Sequence, residues 1–421
     1  MHLAPAGDRA LLVELGEVTA RELHAANAAV KAVPGVMQSI PGHSSLYVIF
    51  DDTPDPRALQ AAIASANHEQ APLSINTRNV PILFDGENLE EFLAHAGLSR
   101  DVFLSRVDGM RLVARYLGFR AGFAYLDGWP EEWSMPRRVT SRAVRRGSFA
   151  IAGKVAAFYP IDTPGGWNVL GRTNVDLENA IAAGDELRLQ VVDVLDEHEV
   201  PRRADAFSIA SPAATIVSGP LALWTSTPFD EVAAAIANHA AGNHAGAPLF
   251  ECPLAGPRVR FTRDAVLAWC SPDLDVRVER VTAGEERSFG RVSGGLRAYL
   301  AIGDREGSVA RVERGERNLI RAMAGPHEGL TGPIVCDVTP QLDRVGIRLR
   351  PQRPVQLEAP ADLRSIGMQC GTVQLHPDGS LIVMGPDHPA TGGYLQPMTV
   401  LSGERWKLAQ LMPGERVTFV V

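Results

Sequence analysis

The sequence predicts a mainly β protein with α+β character, in which a small α/β N-terminal domain precedes two β-barrel halves. Three observations point there. The 421 residues include 39 glycines and 30 prolines, a turn-rich composition that suits many short strands. Apolar residues over 1–78 switch between strand and helix spacing. The two halves also end alike, on a turn followed by a strand: Ala183-Gly184-Asp185-Glu186-Leu187-Arg188-Leu189 in one, and Pro413-Gly414-Glu415 then 417–421 in the other. Such similar endings fit a duplicated barrel.

Taken in order, residues 9–16 read as a strand and 18–32 as a helix with Thr19 as its N-cap. Pro34-Gly35 makes a turn; 36–40 and 46–50 read as strands, 54–68 as a second helix, and 74–84 as a strand. This βαββαβ order describes a small α+β sandwich over 1–78. Two short helices follow, around 89–93 and 99–104. From 117 to 200 the chain is rich in Gly, Pro and aromatics with short apolar runs, such as Phe149-Ala150-Ile151. That texture predicts a small barrel with long loops over 79–203. Pro201-Arg202-Arg203-Ala204-Asp205 is a polar break and the expected main boundary. In 204–421, strand-like runs at 213–217, 258–261, 265–269 and 276–281 surround one clear helix, 229–240. Residues 408–411 read as a helix before the closing turn and strand.

Composition excludes several classes. With 41 Lys+Arg against 49 Asp+Glu, the formal charge of −8 leaves no basic footprint for nucleic acid. No apolar run reaches the ~18 residues of a membrane span. The N-terminus lacks the basic and apolar regions of a secretory signal, so the cytoplasm is the expected compartment. The four cysteines (Cys252, Cys270, Cys336, Cys370) form no CxxC pair; free buried thiols are expected, with two disulfides the alternative in a secreted chain. No metal site is expected: HExxH is absent, and Glu197-His198-Glu199 is too tightly spaced to place two ligands on one helical face. A GxxxxGK[ST] phosphate loop is absent too, Ala152-Gly153-Lys154 lacking its flanking residues. The nearest approach to GxSxG is Ser288-Phe289-Gly290, with Glu286 in place of the first glycine.

Several blocks resemble one family. Gly118-Phe119-Arg120-Ala121-Gly122-Phe123-Ala124-Tyr125-Leu126 is similar to a GFxPGFPYL signature in which Ala121 and Ala124 replace the prolines. Met135-Pro136-Arg137-Arg138 and Gly147-Ser148-Phe149-Ala150-Ile151-Ala152-Gly153 fit the same pattern. Most specific is Tyr159-Pro160-Ile161-Asp162-Thr163-Pro164-Gly165-Gly166-Trp167-Asn168-Val169-Leu170-Gly171-Arg172-Thr173, which matches YPxxxPGGWxxxGRT. These blocks and Gly7-Asp8-Arg9-Ala10-Leu11-Leu12-Val13 resemble the kinase-inhibitor and allophanate-hydrolase-subunit family. That family includes a small subunit of ATP-dependent 5-oxoprolinase, and related sequence forms the carboxyltransferase region of urea carboxylase. The second half resembles the partner subunit fused in frame. Asp343-Arg344-Val345-Gly346-Ile347-Arg348-Leu349 matches DRxGxRL, the block from Gly367 to Gly379 matches GxxxGxxQxxPxG, and Asp387-His388-Pro389-Ala390-Thr391-Gly392-Gly393-Tyr394 matches DxxxTGGY. The likeness is strong from 334 to 421 and weaker from 207 to 330. There a TxQDxGRxG loop is missing between Gly219 and Asp230, and a GSRST-like stretch is missing after Ile302, so the second half looks shortened.

The resemblance implies cyclophilin-like barrels. It also implies a role beside a separate catalytic subunit of the oxoprolinase type, which opens 5-oxoproline or a related cyclic amide or urea-like compound with ATP. ATP enters on the resemblance alone, and no biotin-attachment motif is present. Two alternatives stay open: a non-catalytic regulator that docks on a histidine kinase, and a carboxyltransferase acting on a urea-like acceptor.

Candidate site residues follow from their chemistry. Gly165 and Gly166 let backbone N–H groups approach an anion, with Trp167 as a stacking wall and Asn168 as an amide; the same residues also suit a tight turn whose Trp plugs the barrel. Arg172 can pair with a substrate carboxylate or anchor the turn through an internal ion pair. Tyr125 can donate to a lactam or ureido carbonyl or fill the barrel. Asp387 is the candidate general base, with the Thr391-Gly392-Gly393-Tyr394 segment as a glycine turn stabilising an oxyanion; the alternative is a loop cap. Asp343-Arg344 reads as a local ion pair, and Gln374 can face a pocket or solvent.

Overall fold

The computed structural model describes residues 1–66, 76–119, 122–138, 140–177, 180–195, 210–211, 213–219, 222–309, 312–327, 329–330, 332–360 and 363–421. The break at 201–205, the Glu197-His198-Glu199 run and Ala121 lie outside them. The chain forms two compact units: Met1–Arg202 with Ala359–Met368 and Pro389–Tyr394, and Arg203–Glu358 with Gln369–His388 and Leu395–Val421. Two short pieces of the second half thus belong to unit 1. No helix among the described residues is long and apolar enough to cross a membrane.

Unit 1 begins with a four-stranded antiparallel sheet in the order His2–Pro5, Ala10–Glu14, Ser45–Phe50, Val36–Pro41. The helix Ala20–Lys31 starts on a capping box. Thr19 Oγ1 accepts from the Glu22 N–H at 3.3 Å, and Glu22 Oε2 accepts from the Thr19 N–H at 2.7 Å, so two otherwise unmet donors are satisfied. Its Leu23, Ala26 and Val30 pack on Val13, Leu46 and Val48 of the sheet. The expected sixth element goes elsewhere. Thr77–Ile82 leaves this sheet and pairs in parallel with Glu186–Val191, from Thr77↔Glu186 to Ile82↔Val191. Local periodicity identifies a strand there but carries no information about a partner so distant in sequence.

The second sheet of unit 1 has seven strands, in the order Asn168–Arg172, Ser148–Ala152, Val155–Phe158, Ala124–Asp127, Arg111–Leu117, Glu186–Val191, Thr77–Ile82. It curls until its edges meet at one bridge. The Leu83 N–H donates to Arg172 O and the Arg172 N–H to Leu83 O, both at 2.9 Å. Gly171 permits that approach, because a Cβ there would lie 2.6 Å from Leu83 O and 3.1 Å from the Phe84 Cα. Helices Leu89–Ala96 and Arg100–Val107 contribute Phe92 and Phe103 to the core. These rings pack with Phe84, Trp129, Trp133 and Phe149, largely edge to face. Arg115 ties the two sheets: its guanidinium donates to His43 O at 2.6 Å, Val18 O at 2.5 Å and Asp127 Oδ2 at 2.5 Å.

Unit 2 contains a five-stranded sheet in the order Leu223–Thr225, Leu249–Pro253, Arg297–Gly303, Ala265–Cys270, Val276–Val281. The helix Glu231–Ala240 covers it, placing Ala233, Ile236, Ala237 and Ala240 against Ala268, Tyr299 and Ala301. A four-stranded sheet lies in the same unit, and a closed seven-stranded barrel runs from Leu319–Ala324 to Arg416–Val420. That barrel closes through parallel pairing of its first and last strands, Leu319↔Thr418 to Arg321↔Val420. The curled sheet of unit 1 likewise pairs its first and last strands in parallel. The β-rich, two-half architecture expected from the sequence is therefore present. All four cysteines are free; burial pushes the Cys270 and Cys336 thiols up to about 12 and Cys370 up to about 11, so none is a ready thiolate near neutral pH.

A buried charge network runs through unit 2. Glu251 is 1% exposed. Its carboxylate accepts from Arg297 Nε at 3.2 Å, Arg344 Nη1 at 3.0 Å, the Phe229 N–H at 2.8 Å and Tyr299 OH at 3.2 Å. Tyr299 OH in turn accepts from the Asp230 N–H at 2.8 Å. Asp230 caps the helix and receives Arg314 Nη2 at 2.6 Å and Gln410 Nε2 at 2.8 Å. Two changes test these supports by denaturant unfolding. Glu251→Ala leaves the buried Arg297 guanidinium without its carboxylate and should cost about 3–5 kcal/mol. Gly171→Ala crowds the bridging strand and should cost about 1–3 kcal/mol; an unchanged midpoint for either would refute its assigned role.

Candidate functional site

Several motif blocks of unit 1 meet at one aromatic surface. The strand Ala124–Asp127 presents Tyr125, which stacks on Tyr116 of the neighbouring strand at 4.4 Å between centroids and 15° between planes. Phe123 stands edge-on to Tyr125 at 5.2 Å, to Tyr159 at 5.3 Å and to Trp167 at 5.5 Å. Tyr125 and Trp167 are half-buried, their centroids 5.7 Å apart. Phe119 adds a ring 39% exposed and 5.2 Å from Phe123. Its φ of +61° is left-handed, a conformation costly for a bulky side chain and concentrated at functional sites. Thr391 joins the same end: its hydroxyl donates to Leu117 O at 2.8 Å, and Gly118 lies against it.

The Met135-Pro136-Arg137-Arg138 block is held here by three hydrogen bonds. Met135 O accepts from the Gly153 N–H at 2.7 Å, Pro136 O from Asn168 Nδ2 at 3.0 Å, and the Arg138 N–H donates to Gly166 O at 2.9 Å. Arg137 consequently lies over Gly166, whose missing Cβ would sit 3.1 Å from Arg137 Nε. The Arg137 guanidinium is exposed and has no ion-pair or hydrogen-bond partner among the described residues. Burial pushes the Tyr125 hydroxyl up to about 12 against the opposing pull of Arg137. Burial raises Tyr159 as well, while the Trp167 N–H and Arg137 pull it down. The surface thus offers aromatic faces, a protonated phenol as donor and one uncommitted cation.

Residues 1–183 match the family model for the carboxyltransferase domain, subdomains C and D, and residues 221–332 and 307–421 match subdomains A and B. A 5-oxoprolinase subunit from Escherichia coli O157:H7 is 33% identical over 153 residues, covering 34% of this chain and 70% of that one. The chain belongs to the carboxyltransferase-domain family. A second, distinct 5-oxoprolinase subunit, from Escherichia coli K12, is 25% identical over 251 residues, covering 46% of this chain and 81% of that protein. Counterparts of two different 5-oxoprolinase subunits therefore share one carboxyltransferase-family polypeptide here. The crystal structure of TTHA0988 superposes with a TM-score of 0.75 at 24% identity, covering 98% of this chain and 100% of that one; it supports the fold alone.

The structure gathers some of the expected site residues and separates others. Tyr125, Gly165, Gly166, Trp167 and Thr391 lie in the aromatic region. The two glycines accommodate protein neighbours: a Cβ on Gly165 would collide with the Tyr159 hydroxyl, and one on Gly166 would press on Arg137. Asn168, 1% exposed, holds the Arg137 segment. Arg172 points elsewhere. Its Nε donates to Asp85 Oδ2 at 2.9 Å, and it lines a cleft of about 500 Å³ with Arg145, Arg146 and Ser148. Gln374 is 4% exposed on a barrel strand of unit 2, so solvent is excluded as its destination, and its Nε2 has no hydrogen-bond partner among the described residues.

Asp387 also belongs to unit 2, whereas Thr391-Gly392-Gly393-Tyr394 belongs to unit 1. Both Asp387 oxygens accept from Arg344, at 2.8 Å each. Asp343, expected to pair with Arg344, instead accepts from the Val345 and Gly346 N–H groups. The expected glycine turn is a short strand: Thr391–Gly392 pairs with Ile366–Gly367. Gly393 and Tyr394 follow it, with Tyr394 39% exposed. The sequence reading missed Phe119, Tyr159 and above all Arg137 as site residues. Arg137 was visible within its block, but its placement over Gly166 depends on distant hydrogen bonds. Among the described residues, no cluster of His, Cys, Asp and Glu is arranged to hold a metal.

The phenols supply a pH test. A tyrosine whose pKa is raised by folding contributes stability fully present below its unfolded value near 10, and lost as pH rises through the folded value. Melting temperature should therefore fall between pH 10 and 12, and Tyr125→Phe should reduce the steepness of that fall. An unchanged slope in the variant would contradict the burial effect.

Proposed function

We propose that this chain is the paired small-subunit component of a 5-oxoprolinase-type enzyme, holding a small cyclic amide or urea-like compound on the aromatic surface of unit 1. A separate catalytic subunit would carry out the ATP-dependent step. The observation that carries this reading is the convergence of the GF, MPRR, PGGW and TGG segments on that surface. A flat amide can stack against Trp167 and Tyr125, while the Tyr125 hydroxyl, protonated at physiological pH, donates to its carbonyl oxygen.

In this reading the weak region of the second half is structural. Where the partner-subunit loop is missing, the short connection is pinned: Thr227 O accepts from Arg344 at 2.9 Å and the Phe229 N–H donates to Glu251 at 2.8 Å. After Ile302, the Gly307 N–H donates to Ala240 O at 3.0 Å. These segments carry packing duties. In this reading Asp387 is an anchor for Arg344, and Arg172 steadies the closing strand. The overall conversion breaks the lactam C–N bond, with hydroxyl from water going to the carbonyl carbon and a proton to nitrogen. A second water hydrolyses ATP to ADP and phosphate, and glutamate is released. In this reading ATP is bound by the partner.

Reconstitution of the full chain with an oxoprolinase-type catalytic subunit should give ATP-dependent glutamate release from 5-oxoproline. Trp167→Ala should lower kcat/KM about tenfold by removing the stacking face. A complex that assembles but never releases glutamate would exclude this reading and favour regulatory docking.

A further inference from the structure

Among the clefts, charge clusters and exposed aromatics of the molecule, the uncommitted guanidinium at the aromatic surface leads furthest. We infer that Arg137 makes this site selective for an anionic ligand, a planar amide or ureido group carrying a carboxylate, over a neutral one of the same shape. The inference rests on the proposed aromatic site and adds its charge selectivity. The sequence leaves Arg172 either a substrate carboxylate or an internal ion pair, and the structure pairs it with Asp85. Nearby cations are similarly engaged: Arg138 with Glu91 at 3.0 Å, and Arg142 with Glu87 at 2.9 Å. Arg137 alone of this group has no acid partner among the described residues.

Its backbone is fixed in advance. Hydrogen bonds at Met135, Pro136 and Arg138 hold the residues on either side, so little backbone ordering remains for ligand binding. Gly166 leaves room for the guanidinium, while Tyr125 and Tyr159 lie close enough for its charge to affect both phenols. A ring stacked on Trp167 and Tyr125 would have its amide beside phenol donors and a substituent within reach of the planar fork. A guanidinium suits a carboxylate because two parallel N–H groups can meet two oxygens.

Two matched ligand pairs test the assignment by calorimetry on the full chain: 5-oxoproline with 2-pyrrolidone, and N-carbamoylglycine with N-methylurea. The wild-type protein should bind the anionic member of at least one pair about 10-fold or more tightly than its neutral counterpart. Arg137→Ala should weaken that anion by about 10- to 100-fold and leave the neutral ligand and melting temperature unchanged. Arg137→Lys, with charge but no fork, should fall between them. Equal affinities within both wild-type pairs, or equal losses for both members in Arg137→Ala, would overturn the selectivity while leaving the aromatic site standing. No wild-type binding of any of the four compounds would overturn both the site and its selectivity.

Discussion

The curled sheet of unit 1 depends on a two-bond bridge between Leu83 and Arg172. It joins the ends of a seven-stranded sheet whose other edge contact is the parallel pairing of Thr77–Ile82 with Glu186–Val191. Gly171 must be small for the bridge to form, and the same strand begins at Asn168, whose side chain holds the Arg137 segment. Closure and site geometry are therefore linked through one five-residue strand. The PGGW-to-GRT block is mechanically coherent: its early residues border the aromatic surface, and its late residues close the wall behind them.

Unit 2 meets a different physical demand. A buried carboxylate would be costly alone, and Glu251 is tolerated because two guanidiniums, a phenol and a backbone N–H surround it. The network ties the helix cap at Asp230 to Gln410 near the end of the barrel chain. It also reaches the connection before the helix through the Phe229 N–H.

Much of this fold was legible locally. Thr19 as a helix cap, the helix beginning near Asp230 and the strands at 258–261 and 276–281 follow from cap chemistry and apolar spacing. The destination of Thr77–Ile82 was not, because parallel partners are chosen by distant packing. For the site, the motif blocks marked the neighbourhood, while the partner of each charge emerges only in the folded chain. Arg172 and Arg137 are equally cationic in a string of letters; Asp85 beside one and, among the described residues, no acid paired with the other distinguish them only in three dimensions. Asp387 presents a similar case: its spacing leaves general base and loop cap both open, and the structure adds its pairing with Arg344.

The discontinuity of unit 1 has a consequence for biosynthesis. Ile366 packs with Ile40 and Tyr47 of the first sheet, and Thr391 meets Leu117. When Met1–Arg202 leaves the ribosome, those contacts do not yet exist. At about 5–20 residues per second, the segment containing Ile366 follows roughly 10–30 seconds later. During that interval, an apolar face of the first sheet awaits its cover. A nascent chain must therefore either tolerate this temporary exposure or have it shielded by a chaperone.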